Sequence, residues 1–270
     1  MVEQLRIEYP QSVSKACRIL KMSRSTLHYK SIKDDNFFIT ALGSLAEKHP
    51  REGFWKSYGR LRNKGVVVNH KKLYRIYKSI GLAMRRKYKK RLPKREKKPL
   101  VIPSKFTQSW SIDFTSDVLE NGRKFRSFNV IDDYNREVLF IEVDYSLKSS
   151  RVVWVLNHLI GRYGKPKSIR MDNGPELIAG LMTHWSKANS ITFQYIEPGK
   201  PMQNGYVERF NRTYRENVLD SYIFESLEDV REITDEFVKD YNEERPHESL
   251  AGLSPVKYRE MEKQKLAVSI

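Results

Sequence analysis

Apolar residues recur at every second position in three stretches after residue 105, and this alternation predicts three β-strands. The stretches are 109–119, 125–131 and 138–143. The pair Asn121-Gly122, between the first two stretches, is typical of a two-residue hairpin turn. We therefore expect this half of the chain to open with three antiparallel strands.

Helical and strand-like patterns alternate after the third strand. They predict a helix from Ser149 or Ser150 to Arg162, a strand at 168–171, a helix to about residue 188, a strand at 192–196 and a helix from about Gly205. A closing helix is expected at 222–241, with Ser226 and Asp229 as its capping box. The order β-β-β-α-β-α-β-α predicts an α/β fold with a mixed five-stranded sheet and flanking helices, and it is the order of the ribonuclease-H-like fold.

Residues 12–30 carry the pattern of a helix-turn-helix. Ala16, Cys17 and Leu20 have helical spacing, and Leu27 anchors a second short helix after a turn. The second helix would direct Arg24, Ser25 and Thr26 toward a DNA groove. A small helical hairpin without a DNA-binding role is the alternative interpretation.

A second helical group covers about residues 36–84. Its last helix is capped by Asn69 and ends at Gly81. The apolar positions of that helix follow the i, i+3, i+4, i+7 rule, while its outer face carries Lys71, Lys72 and Arg75. Because acidic residues are almost absent here, we expect these side chains to contact phosphates, although a solvated basic face would look similar.

Residues 85–98 hold ten Lys and Arg in 14 positions, including Arg85, Arg86 and Lys87. Such a run repels itself and has too few apolar residues to fold alone. We interpret it as a linker that lies along a DNA backbone.

Basic charge is confined to the first part of the chain. Residues 1–108 contain 28 Lys and Arg against 7 Asp and Glu, whereas residues 109–270 contain 22 against 26. A one-sided excess of this size is typical of a polyanion-binding protein, and nucleic acid is the favoured partner over a membrane surface. A single cysteine excludes an internal disulfide, no apolar run spans a bilayer and no signal peptide is visible, so a reducing cytoplasm is expected.

Three acids stand at positions where the expected fold would gather them. Asp113 lies within the first strand, Asp172 follows the fourth strand, and Glu208 lies on the helix after the fifth. Two Mg²⁺ ions about 3.5–4 Å apart need few, hard, anionic oxygen ligands to promote displacement at phosphorus. We therefore predict that these carboxylates are the catalytic and metal-binding residues.

The segments around the three acids carry a specific resemblance. W-S-I-D-F-T, R-M-D-N-G-P-E and K-P-M-Q-N-G-Y-V-E-R-F-N-R-T-Y-R-E are similar to the three blocks of DDE recombinases with a retroviral-integrase-like core. The chain most resembles the second-frame (OrfB) transposases of the IS-three family of bacterial insertion sequences. The gap of 35 residues between Asp172 and Glu208 also resembles the spacing in that family. The C-terminal R-P-H-E-S-L segment at 245–250 belongs to the same likeness.

The resemblance implies a Mg²⁺-dependent DNA transposase that cleaves element ends and joins them to other DNA, with Mn²⁺ as a substitute ion. It implies terminal inverted repeats and target DNA as partners, a homo-oligomer on DNA, and an upstream OrfA product that is fused to the chain or acts with it. Lys200, Gln203 and Asn204 would then lie on a loop beside the scissile phosphate, and Arg212 would contact the backbone. A bacterial, nucleoid-associated cytoplasmic protein is expected.

These patterns divide the chain into five parts: a helix-turn-helix at 1–34, a second helical DNA-binding domain at 35–92, a basic linker at 93–104, the catalytic core at 105–222 and a C-terminal helix and tail at 223–270. Two other functions stay open on the sequence alone. One is a DNA-binding regulator or inactive transposase fragment, and the other is a ribonuclease-H-like nuclease.

Overall fold

The computed structural model describes residue 7 and residues 13–29, 34–83, 103–197 and 201–268. Arg85, Arg86, Lys87 and Lys200, which the sequence assigns to DNA contacts, lie outside these residues. The chain divides into two compact units, which we call the N-terminal unit (Met1–Ala41) and the core unit (Leu42–Ile270).

The N-terminal unit contains two short helices where the sequence predicts a helix-turn-helix. They are α1 (Val13–Ile19) and α2 (Arg24–His28), and Cys17 is buried. Ser23 caps α2 by accepting a hydrogen bond from the Thr26 backbone N–H at 3.1 Å. A third helix, α3 (Asn36–Lys48), begins in this unit and ends in the core unit.

The core unit starts with two further helices, α4 (Phe54–Asn63) and α5 (His70–Ser79). The side chain of Asn69 caps α5, as predicted, by accepting from the Lys71 N–H at 2.8 Å. The apolar stripe of α5 is buried through Leu73, Ile76 and Tyr77, so its basic side chains face outward.

Five strands form one mixed sheet in the order β3-β2-β1-β4-β5. They are β1 (Ser109–Val118), β2 (Lys124–Asp132), β3 (Val138–Asp144), β4 (Ser168–Met171) and β5 (Thr192–Tyr195). The first three are antiparallel neighbours, and Gly122 makes the first hairpin turn with φ +78°. β4 and β5 run parallel to β1 because helices connect them. The ribonuclease-H-like α/β fold expected from the element order is confirmed.

Helices cover both faces of the sheet. One face packs against α6 (Ser149–Tyr163), α7 (Pro175–Ile178) and α8 (Gly180–Asn189). The other packs against α9 (Gly205–Tyr214), its π-helical continuation (Arg215–Leu219) and α10 (Leu227–Glu243). Because both faces are buried, the central strands carry apolar side chains on each side, and Trp110, Ile112, Phe128 and Ile131 are fully buried.

Two helices differ from the sequence prediction. The single helix expected after Asp172 breaks at Ala179, where the backbone is not helical. Glu176 O, which would accept a backbone hydrogen bond in a continuous helix, accepts one from the Ser149 hydroxyl at 2.8 Å instead. The closing helix begins at Leu227, five residues later than expected, because the Ser226–Asp229 capping box fixes its first turn. The capping box itself is confirmed.

A long connection follows α10 and leads to the last helix, α11 (Pro255–Val268). We call residues 245–254 the tail loop. Among the residues described, no helix combines the length and the apolar character needed to cross a lipid bilayer.

Candidate active site

Asp113 and Asp172 lie on neighbouring parallel strands. The register pairs Ser109 with Ser168 and Ser111 with Arg170. Two residues further along both segments of the chain, Asp172, just past the end of β4, comes beside Asp113. Both side chains are half-buried. The sheet therefore places the carboxylates of Asp113 and Asp172 next to each other, at the C-terminal end of β4.

Glu208 comes from the first turn of α9, which packs on β1 and β2. Val207 and Phe210, on either side of it, are buried in the core and leave Glu208 on the outer side of the helix. The helix start is fixed to β1 by Asn204, whose Nδ2 donates to Ile112 O at 3.3 Å, one residue before Asp113.

The charges of these acids affect one another. Burial raises the pKa of Asp113 to about 6, and the nearby carboxylates of Asp172 and Glu208 add to the rise. Hydrogen bonds from the Phe114 N–H and from Asn211 oppose it. Burial also raises the pKa of Glu208. This is the electrostatic pattern of like charges crowded at one place, which a divalent cation would relieve.

Two side-chain amides, those of Asn211 and Asn129, form a chain of hydrogen bonds that ends at Asp113. Asn211, one helical turn after Glu208, donates to Asp113 Oδ2 at 2.8 Å. Its own Oδ1 accepts from Asn129 Nδ2 at 2.8 Å, and Asn129 Nδ2 also lies 3.1 Å from Thr115 Oγ1. Asn129 is fully buried and is the register partner of Asp113 on β2. Asn211 and Asn129 are not among the candidate residues from the sequence, although Asn211 stands at i+3 from Glu208 in the E-R-F-N segment.

The three carboxylates do not form a closed coordination shell. Among the residues that the structure describes, no three His, Cys, Asp or Glu side chains are grouped closely enough to hold a metal ion. Asp172 instead turns one oxygen toward its own loop, where it accepts from the Gly174 N–H at 3.1 Å. The donor set nevertheless suits Mg²⁺, because all three groups offer hard anionic oxygens and their mutual repulsion favours a cation between them.

The nearest other acids are engaged elsewhere. Glu176 forms an ion pair with Arg126, whose hydrogen bond lowers the pKa of that carboxyl. Asp117 lies 3.4 Å from the guanidinium of Arg215. Asp133 lies in the turn after β2, but it is fully buried and accepts from Ser109 Oγ at 2.8 Å, so its role is structural.

The residues assigned to DNA contacts near the active site have different surroundings. Gln203 is held by Glu197, whose N–H donates to it at 2.8 Å. Asn204 is buried, and its amide is committed to β1. Arg212 is exposed and pairs with Glu216 at 2.8 Å. Contact of these three residues with DNA stays a prediction.

The remaining described candidates lie on exposed helix surfaces. Arg24, Ser25 and Thr26 are exposed on α2, with both hydroxyls within 2.9 Å of Ser23 Oγ. Lys71, Lys72 and Arg75 are exposed on α5. Their contacts with DNA are likewise untested predictions.

Comparison with known proteins shows the family to which these segments belong. Two family models, both described as integrase core domain, match residues 103–201 and 189–255. Together they span the sheet, all three acids, α10 and the tail loop.

Full-length relatives come from bacterial insertion elements. The 31.7 kDa protein of insertion element IS407 from Burkholderia multivorans is 36% identical over 249 residues, which cover 92% of this chain and 90% of the relative. The 39.2 kDa protein of insertion element IS476 from Xanthomonas euvesicatoria is 33% identical, with 92% and 72% covered. The putative transposase InsK of IS150 from Escherichia coli is 23% identical, with 96% of each chain covered.

Among solved structures, the catalytic core domain of HTLV-2 integrase in complex with magnesium is 18% identical, with a TM-score of 0.47 and coverage of 60% of this chain and 99% of that one. The assignment rests on the IS407 and IS476 relatives, because both match 92% of this chain at more than 30% identity. The chain belongs to the integrase-core (DDE-type) transposases of bacterial insertion sequences, of the OrfB type.

Proposed function

We propose that this transposase cuts and joins DNA through a metal site built by Asp113, Asp172 and Glu208. The observation that supports the proposal is their convergence: burial and the nearby carboxylates of Asp172 and Glu208 together raise the pKa of Asp113 to about 6. An arrangement that is unfavourable for three isolated anions is favourable for anions that share divalent cations.

The protein's own groups have separate tasks in this site. Asp113 is kept in one orientation by Asn211 and by the Phe114 N–H, so one end of the site is rigid. Asp172 and Glu208 stand at the ends of a loop-containing segment and can turn toward the ions. Bound Mg²⁺ ions, two in our proposal and replaceable by Mn²⁺, would activate the attacking oxygen and stabilise the leaving oxygen.

The reaction we propose exchanges one phosphodiester bond for another. Hydrolysis at an element end releases a 3′-hydroxyl, and that hydroxyl attacks a phosphate in the other end or in target DNA as the second strand's P–O bond breaks. All bonds are made between DNA and water or DNA and DNA, so no covalent link between protein and DNA is formed.

DNA binding is assigned to the basic N-terminal part of the chain. Residues 1–108 carry the whole excess of positive charge, and the described part presents it on exposed faces of α2 and α5. We propose terminal inverted repeats and target DNA as ligands, a homo-oligomer as the working form, and cooperation with an upstream OrfA product.

The test measures DNA cleavage and strand transfer separately from DNA binding. Asp113→Asn, Asp172→Asn and Glu208→Gln should each lower end cleavage and strand transfer at least about a thousandfold, because metal catalysis contributes several kcal/mol. Binding to element-end DNA should change little. Asp117→Asn is the matched control, since Asp117 lies on the same strand as Asp113 but pairs with Arg215. Full activity in any of the three variants would contradict the proposal.

A further inference from the structure

A cleft of about 750 Å³ opens where α4 meets the tail loop, away from the three catalytic acids. Its volume lies within the range of about 300–1,000 Å³ that is typical of ligand sites. Trp55, Tyr58 and Arg62 line one side, and Pro246, His247 and Leu253 line the other.

The two walls are fixed to each other, so the cleft is preformed. Asn63 Nδ2 donates to Gly252 O at 3.1 Å, and Lys257 Nζ donates to Asn63 O at 3.0 Å. Lys56 donates to the carbonyl of Pro246. At Gly59 the helix comes so close to Pro246 that a Cβ would lie 2.8 Å from its ring.

An aromatic surface lies at the mouth of the cleft. Trp55 is 63% exposed, and its ring centroid is 6.0 Å from that of Tyr58 and 5.8 Å from that of His70. The guanidinium of Arg62 lies 5.8 Å from the centre of the Tyr58 ring. An exposed indole next to a phenol ring that is itself covered by a guanidinium is a surface on which nucleobases stack.

The charge around the cleft favours a polyanion. In the described residues 53–83, no Asp or Glu occurs, while eight Lys and Arg do. Lys56 and Arg62 belong to this stretch and line the cleft, and Glu248 is the acid among its lining residues. Its carboxylate can accept a hydrogen bond from the amino group of a base.

His247 supplies a second, independent sign of a ligand. Its Nε2 is shielded from solvent and has no hydrogen-bond partner among the residues described. Burial, with the positive charges of Lys56 and Arg245, holds the pKa of His247 well below its ordinary value, so the imidazole is neutral. The cleft therefore meets an uncharged imidazole ring on this side.

We propose that this cleft is a nucleotide-binding subsite for DNA, in which one unpaired base stacks on Trp55, faces the wall that contains His247 and has its phosphate beside Arg62. The inference rests on the proposed action on DNA. Stacking on a side chain requires a base whose face is not covered by its neighbours, so the ligand is a single-stranded or splayed nucleotide, not an intact duplex.

The experiment measures the affinity of the full chain for two fluorescent DNAs: an oligothymidine of about 20 nucleotides and a duplex of similar length. Trp55→Ala should weaken binding of the single strand about tenfold or more, as expected for a lost stacking contact, and change duplex binding less than about twofold. Trp154→Ala is the matched control, because Trp154 is 51% exposed on α6 outside the cleft and should leave both affinities unchanged.

Cross-linking of an iodouridine-substituted oligonucleotide to the unvaried chain gives a second readout, with Trp55 or Tyr58 as the expected attachment. Single-strand affinity unchanged in Trp55→Ala, or cross-links only elsewhere, overturns the proposal. So does a change of oligomeric state without a change of DNA affinity, which would mark the surface as a protein interface. If the unvaried chain performs strand transfer but Trp55→Ala and the cross-links give the negative results above, only the cleft proposal fails. If the unvaried chain binds neither the single strand nor the duplex, the cleft proposal and the proposed action on DNA both fail.

Discussion

Ionisation of the half-buried Asp113 is unfavourable, because burial and the nearby carboxylates of Asp172 and Glu208 raise its pKa to about 6. Two hydrogen bonds offset part of that cost, and the one from Asn211 also decides where Oδ2 points. Asn211 is fixed in turn by the buried Asn129. We therefore interpret Asn211 as a positioning residue that acts on the metal site through Asp113.

Asn211→Ala should raise the Mg²⁺ concentration needed for half-maximal strand transfer about tenfold, because loss of a residue that orients a metal ligand costs about 10- to 100-fold in metal affinity. Calorimetric Mg²⁺ binding to the resting protein should weaken in parallel. Asn217→Ala is the control, since Asn217 donates only to Thr213 O on the same helical segment. If Asn211→Ala and Asn217→Ala need the same Mg²⁺ concentration for half-maximal strand transfer, Asn211 supports the fold and does not position a metal ligand.

The three proposed metal ligands can be selected from the sequence, whereas the residues that support them cannot. Asp113, Asp172 and Glu208 stand in motifs whose spacing resembles that of the family, and their role as metal ligands stays a prediction. Asn129 becomes relevant only through the β1–β2 register, which pairs it with Asp113. A buried Asn on a strand has no local signature that separates this role from ordinary packing.

At the scale of elements, the docking of α4 against the tail loop is the least expected feature of the core unit. It depends on Gly59, which lets the helix backbone approach Pro246, and on hydrogen bonds between residues about 190 positions apart in the chain. The helices themselves follow from caps and apolar spacing, as Asn69 and the Ser226–Asp229 box illustrate. Their docking depends on long-range contacts that local patterns do not encode.

Gly59→Ala should destabilise the core unit by about 1–3 kcal/mol, because the added methyl group overlaps Pro246 in a closely packed contact. Gly161→Ala should have the opposite sign, with a gain of about 0.5–1 kcal/mol, since Gly161 lies in α6 with open space at its Cβ position. Urea unfolding of both variants checks this pair. A neutral or stabilising effect at Gly59 would show that α4 is not held closely against the tail loop.

At the scale of the whole core unit, a buried ion cluster joins the segment before the sheet to the segment after it. Arg60 is fully buried and binds Glu52 at 2.7 Å and Asp240 at 2.6 Å, while Arg245 also pairs with Glu52. Breaking such a cluster is costly, but its net contribution is small because the charges lose their hydration. We interpret it as a device that fixes where α4 sits on α10.

The cluster makes stability depend on pH. Burial alone would raise the pKa of Glu52 and of Asp240, but the hydrogen bonds and charge of Arg60 outweigh it and lower both. A carboxyl whose pKa is lower in the folded state stabilises the fold fully above its unfolded pKa, and this stabilisation is lost as pH falls through the folded value. The affected window lies below about pH 4.5, the ordinary value for Glu52.

The contribution of the cluster to the free energy of unfolding should therefore fall as the pH drops from 5 toward 3. Glu52→Gln should remove part of this contribution, and so change the slope of unfolding free energy against pH, while lowering stability at pH 7. Glu228→Gln removes an exposed carboxylate on α10 and should leave the slope unchanged. Denaturant unfolding at several pH values provides the measurement. An identical slope in Glu52→Gln and the unvaried chain would mean that the cluster does not contribute to acid sensitivity.

The central claim is that Asp113, Asp172 and Glu208 share divalent ions, although their side chains do not form a closed shell in this structure. Anomalous diffraction from crystals grown with Mn²⁺ tests it most directly. We expect Mn²⁺ between the three carboxylates, with Asp172 turned away from the Gly174 N–H and Asp113 still bonded to Asn211. Mn²⁺ bound only elsewhere, for example at Glu176, or no Mn²⁺ at these three residues at saturating concentration, would contradict the account.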